Sequence, residues 1–165
     1  MSREDAEQGI DDPTLRSFVG YGLKRAWLVI ERDLQKVLLA DDFRITTFSA
    51  LTLVEDNPGI TQTQLARALD IERSTCVAVV DELERAGRVT RNNVEGDRRS
   101  YALRTTPAGR RTLARVKTRI VEHEERLLAK LSVSERKTLR DLLLRIEDAR
   151  QDRSAARRHM AGAVA

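Results

Sequence analysis

The segment TQTQLARALDIERSTCVAVVDELERAGRVTRNNVEGDRRSYALRTT, Thr61 to Thr106, decides the fold of this chain. Thr61 and Gln64 have capping-box spacing: the hydroxyl takes the amide of the third helical residue, and the Gln64 side chain reaches back. The helix they open is short, with Leu65, Ala66 and Leu69 as its apolar residues. Asp70-Ile71-Glu72 follows as a turn. Arg73 to Ala86 reads as a second helix that puts Cys76, Val79, Val80 and Leu83 on one face, and Gly87 stands where a left-handed stop is needed. Val89 to Asn93 and Arg99 to Thr105 alternate as strands, with Val94-Glu95-Gly96-Asp97 as the loop between them. Two short helices, a tight turn and an Arg-tipped hairpin, in that order, predict a winged helix-turn-helix.

Outward from this centre the chain is helical. Thr106-Pro107 is a cap followed by a first-turn proline. The helix it starts carries Leu113, Val116, Ile120, Leu127 and Leu131 at near-heptad spacing, interrupted by His123. Ser132 and Glu135 form a second capping box, opening a last helix with Leu139, Leu142, Leu143 and Ile146 on one side. Before the centre, Ile45 to Asp56 reads as a helix with Phe48 and Leu51 inward, stopped by Asn57-Pro58-Gly59. Asp12-Pro13 predicts the start of a longer helix, with Leu15, Val19, Leu23, Ala26, Ile30, Leu34 and Val37 recurring at helical spacing until Asp41-Asp42. At about 25 residues it is about 37 Å long, more than a small domain covers.

The expected fold is therefore mainly α (α+β): a winged helix-turn-helix at 43–106, with N- and C-terminal dimerisation helices at 13–42 and 107–150. Residues 1–12 and 151–165 are read as flexible tails. The two arms are too long and too apolar for a monomer, so they are expected to pack against a second copy.

Composition narrows the function. Of 165 residues 41% are hydrophobic but only 4% aromatic, which dictates an aliphatic core. The net charge of +4 permits nucleic-acid binding without demonstrating it. A single cysteine, Cys76, rules out an intrachain disulfide. There is no apolar run of bilayer length, and the acidic, polar N-terminus lacks the order of a signal peptide, so a cytoplasmic protein is expected. His123 and His159 are far apart, with no Cys or carboxylate set at metal spacing. No nucleophile elbow, phosphate loop or dinucleotide fingerprint occurs. Neither an enzyme nor a cofactor is expected.

A helix-turn-helix offers its second helix to the major groove, where the first residues of that helix touch base edges. Here these are Arg73, Ser74 and Thr75, with Val77 and Ala78 following on the face opposite the core. Arg73 suits a phosphate or a guanine edge, Ser74 and Thr75 suit bases or phosphates, and Val77 and Ala78 suit thymine methyls. The amide end at Gln62 and Thr63 suits a phosphate. At the hairpin tip, Asp97-Arg98-Arg99 suits a narrow minor groove of concentrated negative potential. The plainer readings are ordinary first-turn residues for Ser74 and Thr75, and a solvated hairpin whose charges prevent edge pairing.

These residues resemble the MarR family of bacterial transcription regulators, over about Leu15 to Ile146. The likeness rests on Leu65-Ala66-x-x-Leu69, Arg73-Ser74-Thr75 and Val80-Asp81-x-Leu83-Glu84-x-x-Gly87. It continues in Asp97-Arg98-Arg99 with Leu103, Thr106 and Ala108-Gly109. The resemblance implies a triangular homodimer whose two winged domains read a pseudo-palindrome, a repressor released by a small anionic or phenolic ligand. It also implies that Arg99 is the minor-groove arginine and Asp97 its orienting partner. Three positions depart from the pattern. Asp70 stands where Gly is common, and Val77 and Ala78 stand where polar or basic residues are common.

The family's ligand site lies between the dimer helices and the winged domain, which makes Arg25, Trp27, Arg44 and Phe48 the candidate lining residues. The expected effector is an aromatic carboxylate or its coenzyme A thioester. Trp27 reads equally as a packing residue, and Arg25 and Arg44 as solvated or salt-bridged. Cys76 falls on the buried helix face, where a thiol is inert rather than a redox sensor. The competing functions are a ligand-independent architectural DNA binder and a helical adaptor.

Overall fold

The computed structural model describes the backbone of residues 11–94 and 97–162, and the side chains of residues 11–93 and 101–148. Its described elements run α1 (Pro13–Arg16), α2 (Val19–Leu39), α3 (Ile45–Asp56), α4 (Gln62–Leu69), α5 (Arg73–Arg85), β1 (Val89–Val94), β2 (Asp97–Thr105), α6 (Pro107–Leu127) and α7 (Val133–Gly162). The chain divides into two compact units between His123 and Glu124.

In the first unit the core is aliphatic. Leu51, Val54, Leu65, Val80, Leu83, Leu103 and Val116 are among its fully buried members, and Phe43 is its one buried aromatic. α3, α4 and α5 each contribute one face, and the hairpin closes the side. β1 and β2 pair antiparallel, Val89 opposite Thr105 and Asn93 opposite Tyr101, with an irregularity before Val94. The outer edge of β2 is also engaged. Gly59 N–H donates to the Leu103 carbonyl at 2.8 Å, and Leu103 N–H donates to Ile60 at 3.0 Å. The wing is thus hydrogen-bonded to the loop that feeds α4, which limits how far its base can swing.

Local chemistry explains the boundaries. The chain enters α4 through the expected capping box: Gln64 N–H donates to the Thr61 hydroxyl, and the Gln64 side-chain oxygen accepts from Thr61 N–H at 2.9 Å. Asp70 takes the left-handed conformation (φ 54°, ψ 43°) that the turn demands, which a short polar side chain tolerates. At the end of α5, Gly87 has φ 65°. Its N–H and that of Arg88 donate to Glu84 and Leu83, both at 2.9 Å, a Schellman stop. At the start of α6 the Thr106 hydroxyl accepts from Gly109 N–H and donates to the Gly87 carbonyl. A Cβ on Gly109 would lie 2.2 Å from the Arg88 carbonyl oxygen. Only glycine lets α6 start this close to the α5–β1 turn.

Several expectations need correction. The first long helix is broken: α1 ends at Arg16, and Phe18 is extended (φ −91°, ψ 124°) as the cap of α2. Ser17 explains the break, because its hydroxyl donates to the Thr14 carbonyl and competes with helix propagation. Nor does the Asp12 side chain cap α1. Its carboxylate takes the Arg16 guanidinium and the Tyr21 hydroxyl, both at 2.5 Å. Finally, α6 stops at Leu127 rather than reaching Leu131. The Ser132–Glu135 capping box opens a new helix there, with Ser132 N–H donating to Glu135 at 2.7 Å.

In the second unit, α7 continues to Gly162, past the expected end at Arg150. Between them stand Gln, Asp, Arg, Ser, Ala, His and Met, with no proline and with glycine only at its last residue, a composition that does not break a helix. Of the tails expected at 1–12 and 151–165, residues 1–10 and 163–165 lie outside the described residues. Leu139, Leu142, Leu143 and Ile146 are 37–52% exposed. Val19 on α2, expected to face inward, is exposed as well.

Candidate nucleic-acid interface

α5 separates its residues by face. Cys76, Val79, Val80 and Leu83 are buried, whereas Arg73, Ser74, Thr75, Val77 and Ala78 are exposed. The exposed set forms the outer side of the first two turns, which is the geometry a groove-reading helix requires. Thr63 is exposed and Gln62 half-buried at the start of α4. Thr63, Arg67 and Arg73 line one concavity at the corner of the two helices. Asp70 and Glu72 line it too, so the turn gathers charges of both signs beside the first turn of α4.

What fixes the wing against α5 is Arg91 on β1, which sequence reasoning missed. Its guanidinium donates to Asp81 and to Glu84, both on α5. The Gln62 amide oxygen, turned toward it, accepts from Arg91 Nε at 3.2 Å and from a terminal nitrogen at 3.1 Å. Only 17% of the Arg91 side chain is exposed. Burial opposes its charge, but the two carboxylates outweigh burial and raise its pKa further. Three elements thus meet at one side chain: the first residue of α4, the middle of α5 and the first strand of the wing. The available signal was Asp81 and Glu84, three residues apart on α5 and hence neighbours on its surface.

A second junction was also missed. The Asp41 carboxylate, 7% exposed, accepts from Arg115 at 2.6 and 2.9 Å and from Arg119 at 2.5 Å. Its backbone carbonyl accepts from Arg88 at 2.9 Å, and the Arg88 guanidinium lies 4.1 Å above the Phe43 ring. Burial pushes the Asp41 pKa up, but the two α6 arginines prevail and hold it below the ordinary carboxylate value. The residues after α2, the middle of α6 and the residue after the α5 stop are tied together here.

Cys76 is fully buried and its thiol donates to the Gln62 carbonyl at 3.4 Å. Burial raises its pKa against a weaker opposite pull from Arg91, so thiolate is scarce. At the wing tip, Asp97, Arg98 and Arg99 fall on the described backbone of β2, and β2 starts earlier than expected. Their side chains, with Glu95 and Gly96 of the loop, lie outside the described residues.

The four effector candidates have different surroundings. Arg25 lines a cleft along α2 whose walls do not include Trp27, Arg44 or Phe48. Arg44 is ion-paired with Glu82 at 3.1 Å. Phe48 packs edge-on against Phe43, with ring centres 6.1 Å apart. Trp27 is 46% exposed. Among the described residues, no helix is long and apolar enough to cross a membrane.

A two-helix reader with its outer face free and a hairpin clamped beside it defines a winged helix-turn-helix protein. Residues 43–101 match the MarR family. A candidate transcriptional regulatory protein for the hcr operon of Thauera aromatica is 35% identical over 130 residues, covering 78% of each chain. The repressor CouR bound to a 23-mer DNA duplex superposes with a TM-score of 0.79 at 37% identity, over 84% of this chain and 98% of that one. CouR bound to p-coumaroyl-CoA superposes at 0.73 with 34% identity, over 84% and 97%. The chain belongs to the MarR family of transcriptional regulators, and it is not an enzyme.

Proposed function

We propose that this regulator binds a pseudo-palindromic DNA duplex as a homodimer in the cytoplasm, represses transcription there, and is released by a small organic anion. The observation that carries the reading is the free outer face of α5. Arg73, Ser74, Thr75, Val77 and Ala78 are exposed together, while the opposite face of the helix is core. In the proposed complex these side chains enter the major groove, the α4 amide end at Gln62 and Thr63 takes a phosphate, and the Asp97-Arg98-Arg99 tip lies at the minor groove, with Arg99 entering it and Asp97 as its orienting partner. The CouR structure with a duplex supports this mode of binding.

Dimerisation is assigned to the segments 13–42 and 107–150. The half-exposed leucines of α7, with Val19 and Phe18 at 73% and 59% exposure beside α2, are apolar area that a second copy would remove from water. The effector is assigned as an aromatic carboxylate or its coenzyme A thioester, supported by the CouR complex with p-coumaroyl-CoA.

Nuclease footprinting on the DNA flanking the chain's own gene tests the reading. Two protected half-sites about one helical turn apart, lost on adding effector, are expected. Diffuse coverage indifferent to small molecules would instead establish an architectural binder, and no protection would leave a helical adaptor.

A further inference from the structure

A cleft of about 610 Å³ lies along the first two helices of the chain. Arg16, Arg25 and Arg32 stand on its walls with Tyr21, Leu28 and Val29, and among the described residues no carboxylate lines it. Arg16 is paired with Asp12, which the Tyr21 hydroxyl also holds. Among the described residues, Arg25 and Arg32 make no ion pair. Gly22 is part of the wall, and nothing lies within 4 Å of where its Cβ would be. The space above α2 is therefore open at that point.

Arg25 and Arg32 are two helical turns apart on one face, about 10 Å along the axis. Two arginines based at that spacing on one helix, with aliphatic side chains and a ring between and beside them, match a particular kind of ligand. It carries separated phosphoryl groups and an apolar body. A guanidinium fork is the side chain best shaped for phosphate oxygens. A carboxylate alone would need only one of them.

We propose that this cleft is the effector's anion site and that it takes a phosphorylated organic anion of the coenzyme A thioester class. Arg25 and Arg32 hold the phosphoryl groups, and Leu28, Val29 and the Tyr21 ring cover the organic part. This rests on the effector reading given under Proposed function, and it decides between the free acid and the thioester. The duplex backbone is the less suitable occupant, because none of the cleft's described walls comes from α4, α5 or the hairpin.

The test is calorimetry on the full-length chain with three probes: free coenzyme A, p-coumaroyl-CoA and p-coumarate. Each is run against the wild type, Arg25→Glu/Arg32→Glu and Arg25→Lys/Arg32→Lys. Sedimentation and a duplex mobility shift are run on the same samples. The expected result is thioester and coenzyme A binding by the wild type, weakened roughly tenfold or more by charge reversal, equivalent to about 1.4 kcal/mol. The lysine pair should restore part of it, and dimer and duplex affinity should be unchanged. Wild-type affinity for the thioester in the charge-reversed chain would overturn the site while leaving the effector reading intact. Binding of p-coumarate alone would do the same. Binding of none of the three probes would remove both. A variant that falls to monomer would mark the cleft as a subunit contact. One that loses duplex affinity before any ligand is added would mark it as a DNA contact. Either outcome overturns the proposal.

Discussion

Arg91 on the first hairpin strand is ion-paired to Asp81 in the middle of α5, and its other terminal nitrogen reaches Glu84 one turn further on. The wing and α5 are therefore tied together through one side chain. Arg91→Ala removes the link and leaves two carboxylates facing each other. Since Asp81 and Glu84 are nearly half exposed, the expected stability loss is modest, about 1–2 kcal/mol. Duplex affinity should fall further than Arg73→Ala alone would lower it. Urea unfolding and mobility shifts measure the two effects, and a folded Arg91→Ala chain with undiminished affinity would mean the wing needs no clamp.

Arg99→Ala should weaken operator binding by roughly 1–3 kcal/mol, the range for a specific DNA contact, and leave the dimer intact. Fluorescence anisotropy with a labelled operator reads the loss. An unchanged dissociation constant would take the minor-groove role away from this residue.

Leu142 on α7 is 46% exposed in the protomer. Leu142→Asp places a charge where the subunit contact is proposed and should shift sedimentation toward monomer at micromolar concentration. A fully dimeric, folded variant would move the contact elsewhere.

Gly109→Ala puts a methyl group 2.2 Å from a backbone oxygen and 2.8 Å from the Thr105 methyl. Neither the Arg88 carbonyl nor the hairpin end can retreat easily, so an overpacking cost of about 1–3 kcal/mol is expected. A thermal midpoint equal to that of the wild type would show that α6 can shift to accept the methyl.

Asp41 gives a pH prediction with a definite sign. Its folded pKa lies below the unfolded value of about 3.9. The ion pairs with Arg115 and Arg119 therefore contribute fully above that value and are lost as pH falls through the depressed one. Stability measured by urea between pH 6 and pH 2 should decline in acid, and Asp41→Asn should flatten part of that decline. Parallel curves for the two proteins would assign the acid sensitivity to other carboxylates.

The local signals in the sequence that survived were those set by neighbouring residues. The capping boxes at Thr61 and Ser132, the stop at Gly87 and the four inward residues of α5 all depend on contacts within a few positions. The break at Ser17 was hidden because Leu15 and Val19 keep helical spacing across it, and periodicity does not register one hydroxyl competing for a carbonyl. Arg91 and Asp41 were illegible for a different reason. Their partners are 7 to 78 positions away, and a charged residue bound for a buried pair looks in sequence like one bound for solvent. The same limit applied to Arg44, whose partner Glu82 lies 38 positions away. The effector candidates were placed by likeness alone, and only Arg25 lines the α2 cleft.

The thiol of Cys76 has one more use. It sits on the buried face of α5, the helix proposed to enter the groove, capped by the carbonyl of Gln62, and no reagent can reach it until that small motif loosens. The alkylation rate of this lone thiol therefore clocks the breathing of that motif itself. Adding operator should slow the clock by the same factor that binding stabilises the closed form.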